Sequence, residues 1–401
     1  MNAANATSTD AQSVAHGLRG VVLCETRLSS IDGQAGELLI GGFPVEELAP
    51  EASFEEVLHL LWHDRLPSEA ERSELRRDLA SRRTLSETTL EVLRRAAERK
   101  VSPMDALRLG ADTLSLDETD AADLSRAADL RRAVRLIAAL PSVLAAYWRS
   151  LHGLSPVEPR TDLDHAANFL YMVCGEEPEA EAARALETYF NTVIDHGMNN
   201  STFTARVVAS TRSDLFSAVV GAIGALKGPL HGGAPGPAMD MVFEVQRRAQ
   251  ASGRSVAREA ERWVRERLEQ GERVMGFGHR VYRVRDPRAD VLAEAADALF
   301  AEKDAQLYSD AKTVEGVVLR SLKAHKPDLN LQTNVEFYTA LVLHGVGLDA
   351  ALFSSVFALA RAGGWSAHVL EQRGEDELIR PTARYSGAKG RTYPEERHAD
   401  S

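Results

Sequence analysis

The stretch Gly276-Phe277-Gly278-His279-Arg280-Val281-Tyr282-Arg283-Val284-Arg285-Asp286-Pro287-Arg288 gathers cations in a chain whose formal net charge is −12. Its window 273–288 holds five arginines and one histidine against a single aspartate. Asp286-Pro287 reads as an N-cap followed by proline at the first helical position. Leu292, Ala295, Ala296 and Leu299 then follow at helical spacing. Arg288 therefore lies in the first turn, where the helix dipole disfavours a cation. A bound anion would relieve that mismatch, since helix N-termini attract anions; a solvated basic loop is the alternative. Glycine on both sides of Phe277, just before His279, predicts a tight loop that brings backbone close to a ligand. It is no dinucleotide fingerprint, because no third glycine follows at the required spacing and no strand pattern precedes it.

Three further positions combine reactive residue types with informative neighbours. His231 stands between Leu230 and Gly232-Gly233, directly after a helix predicted over 214–227 and stopped by Pro229. A histidine in a glycine-lined bend has little packing reason to be there, so catalysis is its functional reading. His196 continues the stripe Leu186, Tyr189, Phe190, Val193, and spacing alone favours a core histidine bonded to backbone. Thr333-Asn334-Val335-Glu336 fits a capping box with Glu336 at its third helical position. His59 and His63 are four apart, but no glutamate follows His59, so they form no zinc-protease pattern. No metal site is expected.

The elements that must hold these residues are mostly helical. The 401 residues are 44% hydrophobic, enough for one large core or two unequal ones. Residues 1–16 are polar and lack both arginine and an apolar run, as in a disordered tail and unlike a secretory signal. From Gly17 to about Leu48, Gly-Val-Val-Leu, a turn at Ile31-Asp32-Gly33 and Leu38-Leu39-Ile40-Gly41-Gly42 predict short β-strands. Helices are predicted over 54–63, from His165, after Pro237, over 256–268 and from Asp349. Ser217, Gly221, Gly224 and Ala225 form one smooth face for close helix approach. The Asp- and Ala-rich segment 110–131 reads as a mobile connection. There is no βαβ alternation and no repeat, so the fold class is mainly α. Cys24 and Cys174 fit no CxxC pattern and point to a reduced, cytoplasmic protein. The acidic balance argues against nucleic acid as partner, and no apolar run is long enough to cross a membrane.

Taken together, Leu226-Lys227-Gly228-Pro229-Leu230-His231-Gly232-Gly233 and Gly276-Phe277-Gly278-His279-Arg280-Val281-Tyr282 closely resemble the citrate synthase family. Asp195-His196-Gly197-Met198-Asn199, Asn334-Val335-Glu336-Phe337-Tyr338, Phe357-Ala358-Leu359-Ala360-Arg361 and Ile31-Asp32-Gly33 match it too, in the same order. The likeness spans about residues 17–395. It implies a two-domain helical homodimer with short N-terminal strands. The large domain would comprise 17–233 and 339–401, with a small domain inserted at 234–338. It implies condensation of acetyl-CoA with oxaloacetate and hydrolysis of citryl-CoA, or the same chemistry on propionyl-CoA in a 2-methylcitrate synthase. A paralogue that binds these ligands and turns over poorly is the rival from another class. No cofactor is implied, acyl-CoA being the substrate, and no N-terminal regulatory β-domain is expected.

Carried over residue by residue, the resemblance makes His231 the donor to the thioester oxygen and His279 the group that polarises the ketone. Glu336 takes the place of the base. Arg288, Arg361, His196 and Asn199 would contact oxaloacetate, and Arg380 would reach it from the partner subunit. The backbone of Val274, Met275, Gly276, Phe277 and Gly278 would face the CoA adenine, with Arg283 near its phosphates. Such chemistry needs planar cations for two carboxylates, a donor at the enol oxygen and a base at the methyl. Four positions depart from the family pattern: Glu336 for aspartate, Pro235-Gly236 for Asn-Glu, Val193 for histidine, and residues 38–42 for a stretch that usually carries Arg-Gly.

Overall fold

The computed structural model describes residues 14–18, 20–120, 122–231, 236–279, 281–301 and 303–392. Most of the predicted tail 1–16, together with Arg280, Gly232-Gly233, Ala234 and Pro235 of the motifs, lies outside the described residues. Sixteen α-helices and one three-stranded antiparallel sheet make up the described chain. It divides into two compact units, residues 27–378 and the terminal pieces 1–26 with 379–401. Among the described residues no helix is long and apolar enough to cross a membrane.

The strands are Ser29–Asp32, Glu37–Ile40 and Phe43–Pro44. Gly-Val-Val-Leu at 20–23, expected to be a strand, is irregular, and Val22 is 86% exposed. Three adjacent apolar residues have no alternation to settle on one face of a sheet, whereas Leu38 and Ile40 alternate and are buried. The Asp32 carboxylate closes the hairpin by accepting from the Gln34 and Ala35 N–H groups at 2.8 and 2.9 Å. These bonds hold its pKa below the usual range.

Helix ends follow the sequence closely. Ser53 and Ser68 form complete capping boxes with Glu56 and Glu71, and serine also caps the helices that begin at Glu87, Pro103 and Arg126. The Phe54–His63 helix ends where predicted. Asp349 caps a short 3-10 turn, and the long helix starts at Phe353. Segment 110–131 is not a mobile connection. A helix runs to Thr113, a 3-10 turn covers Leu114–Asp117, and the next helix begins at Arg126. Between them the buried Arg132 donates to the Asp120 and Asp123 carbonyls, both at 2.5 Å, and pins the loop.

The Phe353–Glu375 helix is buried along nearly its whole length because its sequence is rich in Ala, Gly and Ser. A Cβ on Gly364 would lie 2.3 Å from the Ile194 carbonyl oxygen, so glycine there lets the 194–197 turn sit directly on the helix. The small-residue face at 217–225 is part-buried, with Gly224 exposed.

Two buried groups give the fold a testable pH signature. Glu55 is 2% exposed, and burial, aided by Glu187 and Asp164, pushes its carboxyl up to about 7. His165, stacked on Phe54 with centroids 4.8 Å apart, is pushed down to about 3 by burial and by Arg83. The raised carboxyl favours the folded state below its unfolded value of 4.5, and that contribution is lost as pH rises through about 7. The depressed imidazole works oppositely, stabilising above 6.5 and losing that contribution as pH falls towards 3. Glu55→Gln is therefore expected to gain about 3 kcal/mol at pH 8 and almost nothing at pH 4. Urea unfolding at both pH values checks this, and an equal effect at the two would refute it.

Candidate active site

The small sheet positions two of the histidine segments. Ser29 Oγ donates to Asp195 Oδ2 at 2.5 Å and accepts from the Gly197 N–H at 2.8 Å, which fastens the turn carrying His196. Behind it, His368 Nε2 lies 3.2 Å from Asp195 Oδ1, with both residues fully buried. At the other end of the hairpin, a Cβ on Gly33 would sit 2.4 Å from the Val281 carbonyl oxygen. The Gly33 carbonyl accepts from the Arg283 N–H at 2.7 Å. The basic loop is thereby held against the same hairpin.

Within that loop the His279 tautomer follows from its hydrogen bonds. Its Nδ1 accepts from the N–H groups of Val281 and Tyr282 at 3.0 and 3.2 Å, which in the neutral ring leaves the proton on Nε2; Arg288 Nη2, itself a donor, lies 3.5 Å from that nitrogen, too far to outweigh the two shorter bonds. The His196 ring lies 5.8 Å from it in an edge arrangement, and His196 Nε2 is 3.1 Å from the Tyr282 hydroxyl. Burial, reinforced by Arg288, Arg361 and His279, drives the His196 pKa well below its usual value. His196 is thus held neutral, beside Tyr282 and the basic loop.

His231 is held in the opposite tautomer. The Asn200–Ser210 helix begins with Asn199 as N-cap, whose side chain accepts from Thr202. Ser201, in the first turn, points its N–H at His231 Nε2 from 3.1 Å, with its Oγ 2.8 Å from the same nitrogen. The first-turn N–H groups of a helix lack partners within it, and this one is satisfied by the imidazole nitrogen. The neutral ring then bears its proton on Nδ1. Trp365 Nε1 donates to Ser201 Oγ at 3.1 Å and fixes that hydroxyl.

Two arginines converge here almost completely buried, Arg288 at 3% and Arg361 at 2% exposure. Asp286 caps the Pro287–Phe300 helix and accepts from Arg288 Nε and Nη2 at 3.0 and 2.9 Å. Burial opposes the Arg288 charge, and Asp286 more than offsets it. Arg361 donates its Nε to the Val193 carbonyl at 2.7 Å and stacks over Phe357 at 4.6 Å. Burial lowers its pKa to about 10. Among the described residues, nothing accepts a hydrogen bond from Arg288 Nη1 or from either terminal nitrogen of Arg361. Such a pair of open guanidinium edges suits a dicarboxylate.

Glu336 lies within the reach of the Arg288 charge, and the predicted capping box does not form. Asn334, not Thr333, is the N-cap, accepting from the Glu336 N–H at 3.0 Å, while Thr333 Oγ1 turns away to Glu315 at 2.7 Å. The Glu336 carboxylate has no hydrogen bond to a described residue. Burial raises its pKa to about 7 against the pull of Arg288. A carboxyl poised near neutral pH is suited to taking a proton from carbon.

The loop at Val274–Gly278 is laced to the segment ahead of Glu336. Phe277 bridges Thr333, Gly278 N–H donates to the Gln332 carbonyl at 2.7 Å, and Asn334 N–H donates to the Gly276 carbonyl at 3.0 Å. Gly276 and Gly278 both adopt positive φ, and a Cβ on Gly276 would meet Phe337 at 3.2 Å. Arg283 is exposed. Arg380 belongs to the terminal unit and is exposed as well. Sequence reasoning missed Tyr282, Asp286 and Ser201 as site-shaping residues. Asp286 had a signal in its place as an N-cap next to Arg288, and Tyr282 in closing the Gly276–Tyr282 motif.

A site of two open guanidinium edges, two histidines that turn opposite ring nitrogens to their backbone donors and one carboxyl near neutrality belongs to acid–base carbon chemistry on an anionic substrate. Residues 17–382 match the family model described as citrate synthase, C-terminal domain. The chain is 44% identical to the citrate synthase of Haloferax volcanii, over 93% of this chain and 96% of that one. It is 37% identical to a 2-methylcitrate synthase of Mycobacterium tuberculosis, over 94% and 92%. Among solved structures, the ternary complex of a Thermoplasma acidophilum citrate synthase with carboxymethyl coenzyme A and oxaloacetate aligns at TM-score 0.84 and 28% identity. That alignment covers 95% of this chain and 98% of that one. The chain belongs to the citrate synthase family.

Proposed function

We infer that this chain condenses acetyl-CoA with oxaloacetate and hydrolyses the resulting citryl-CoA to citrate and CoA. The observation that supports this reading is the Glu336 carboxylate, buried, without a hydrogen bond among the described residues and near enough to Arg288 to feel its charge. Glu336 takes a proton from the acetyl methyl while His231 Nδ1–H stabilises the oxygen of the forming enol. The enol carbon attacks the ketone carbon of oxaloacetate, and His279 Nε2–H receives the developing charge on the ketone oxygen. Arg288 and Arg361 hold the two carboxylates, with His196 and Asn199 shaping the same pocket. Water then cleaves the thioester, releasing CoA thiol and citrate.

The remaining assignments rest on the family pattern. Val274–Gly278 and the exposed Arg283 receive CoA, and no cofactor beyond this substrate is used. A small domain at 234–338 closes on a large domain of 17–233 and 339–401, excluding water. The chain works in the cytoplasm as a homodimer, paired through the face that leaves Gly224 exposed, with Arg380 serving the partner's site. The relative named 2-methylcitrate synthase keeps propionyl-CoA as a second reading, because one methylene in an apolar pocket is worth only about 1–3 kcal/mol.

Thiol release measured with each acyl-CoA, with and without oxaloacetate, tests the reaction. Oxaloacetate-dependent release is expected, fastest with acetyl-CoA and confined to the dimer in sedimentation fractions. No release above background with either acyl-CoA would remove the enzyme reading, and an active monomer would remove the dimer.

A further inference from the structure

We propose that Glu315, on the helix Ala305–His325, is a positioning residue that sets where the Glu336 carboxylate stands. The proposal rests on the reading of Glu336 as the base. Glu315 is 4% exposed and accepts four hydrogen bonds from three separate segments. Thr333 Oγ1 donates at 2.7 Å, Tyr338 OH at 2.5 Å, Arg285 Nη1 at 2.8 Å and Lys312 Nζ at 3.1 Å. Flanked by two cations and two hydroxyls, its carboxyl is held below the usual range even though burial pushes the other way. It therefore remains an anion wherever the neighbouring base titrates.

The donors are placed so that each constrains Glu336. Thr333 immediately precedes Asn334, the N-cap of the Val335–Gly345 helix on which Glu336 lies. Tyr338 lies two residues beyond Glu336, about 200° around that helix, so its bond restrains rotation about the helix axis. Lys312 Nζ also donates to the Tyr338 hydroxyl at 2.7 Å and secures it from a second side. Arg285 ties the cluster to the loop between His279 and Arg288. Among the described residues nothing hydrogen-bonds the Glu336 carboxylate, so its position is inherited from the helix that Glu315 clamps. A longer side chain than the family aspartate makes that placement more demanding.

Thr333→Val, which removes one arm of the clamp at constant shape, and Glu315→Gln, which keeps size and removes charge, test the proposal. In thiol release with acetyl-CoA, each should lower kcat by about tenfold to a hundredfold. The oxaloacetate Kd by calorimetry should stay within about twofold, because Arg288 and Arg361 keep their own supports. The acid limb of the kcat–pH profile, expected near pH 7 in the unaltered protein, should move to lower pH as the freed carboxylate gains water. Unchanged kcat and an unmoved limb in Thr333→Val would overturn the clamp. Loss of oxaloacetate affinity in step with kcat would do so too, by exposing general disruption. If Glu315→Gln does not fold, Thr333→Val decides alone. Absence of thiol release in the unaltered protein would instead count against the assigned reaction.

Discussion

Glu336→Gln is expected to bind oxaloacetate as tightly as the unaltered protein and to lose condensation by a hundredfold to ten-thousandfold, roughly the range of a positioned general base. The amide keeps the size of the side chain and cannot accept the methyl proton. The unaltered carboxyl, raised to about 7 by burial, must be ionised to act, so kcat should rise with pH through that value. In Glu336→Gln this limb should disappear from the residual rate. Shortening the side chain in Glu336→Asp withdraws the carboxylate by about 1 Å, a displacement worth on the order of a hundredfold where nothing else adjusts. Near-normal turnover in Glu336→Gln, measured as thiol release at saturating oxaloacetate, would show that proton abstraction lies elsewhere.

Arg361→Leu should raise the oxaloacetate KM by about two to three orders of magnitude, as expected when one partner of a buried charge pair is removed. Arg361→Lys should be nearly as poor. Its single ammonium can replace neither the Nε bond to the Val193 carbonyl nor the planar stacking over Phe357 together with two outward donors. The free protein should respond in the opposite sense. Arg361 is buried and forms no ion pair with a described carboxylate, and burial already depresses its pKa to about 10. Replacing it with leucine should therefore preserve or raise the melting temperature without ligand. Oxaloacetate should stabilise the unaltered protein against heat and leave Arg361→Leu unaffected. An unchanged KM in Arg361→Leu would mean that the open guanidinium edges do not receive the substrate.

Much of this molecule was determined by the sequence through interactions that reach only a few residues. Ser53 with Glu56, Asp286 with Pro287, and Phe54–His63 stopping before Pro67 follow from capping and propensity within one turn of helix. The buried stripe at 186–193 follows from periodicity, and the motifs around His196, His231, His279, Arg288, Glu336 and Arg361 mark the site without any fold. Tertiary structure decided how those residues are held. Thr333-x-x-Glu336 has every local feature of a capping box, yet Glu315, 18 residues upstream, takes the threonine hydroxyl and leaves the carboxylate open. His196 has the spacing of a core residue, and burial reinforced by two buried arginines holds it neutral, yet its Nε2 meets the Tyr282 hydroxyl from 86 positions away. Segment 110–131 reads as a mobile connection, yet helices take up both of its ends and Arg132 binds the Asp120 and Asp123 carbonyls. Protonation states were the least legible. Tautomers at His231 and His279 depend on which N–H meets which ring nitrogen, and the shifts at Glu336 and Arg361 depend on how much water the packed helices exclude. Local pattern is encoded over about four residues; desolvation and long-range pairing exist only once distant segments have been brought together.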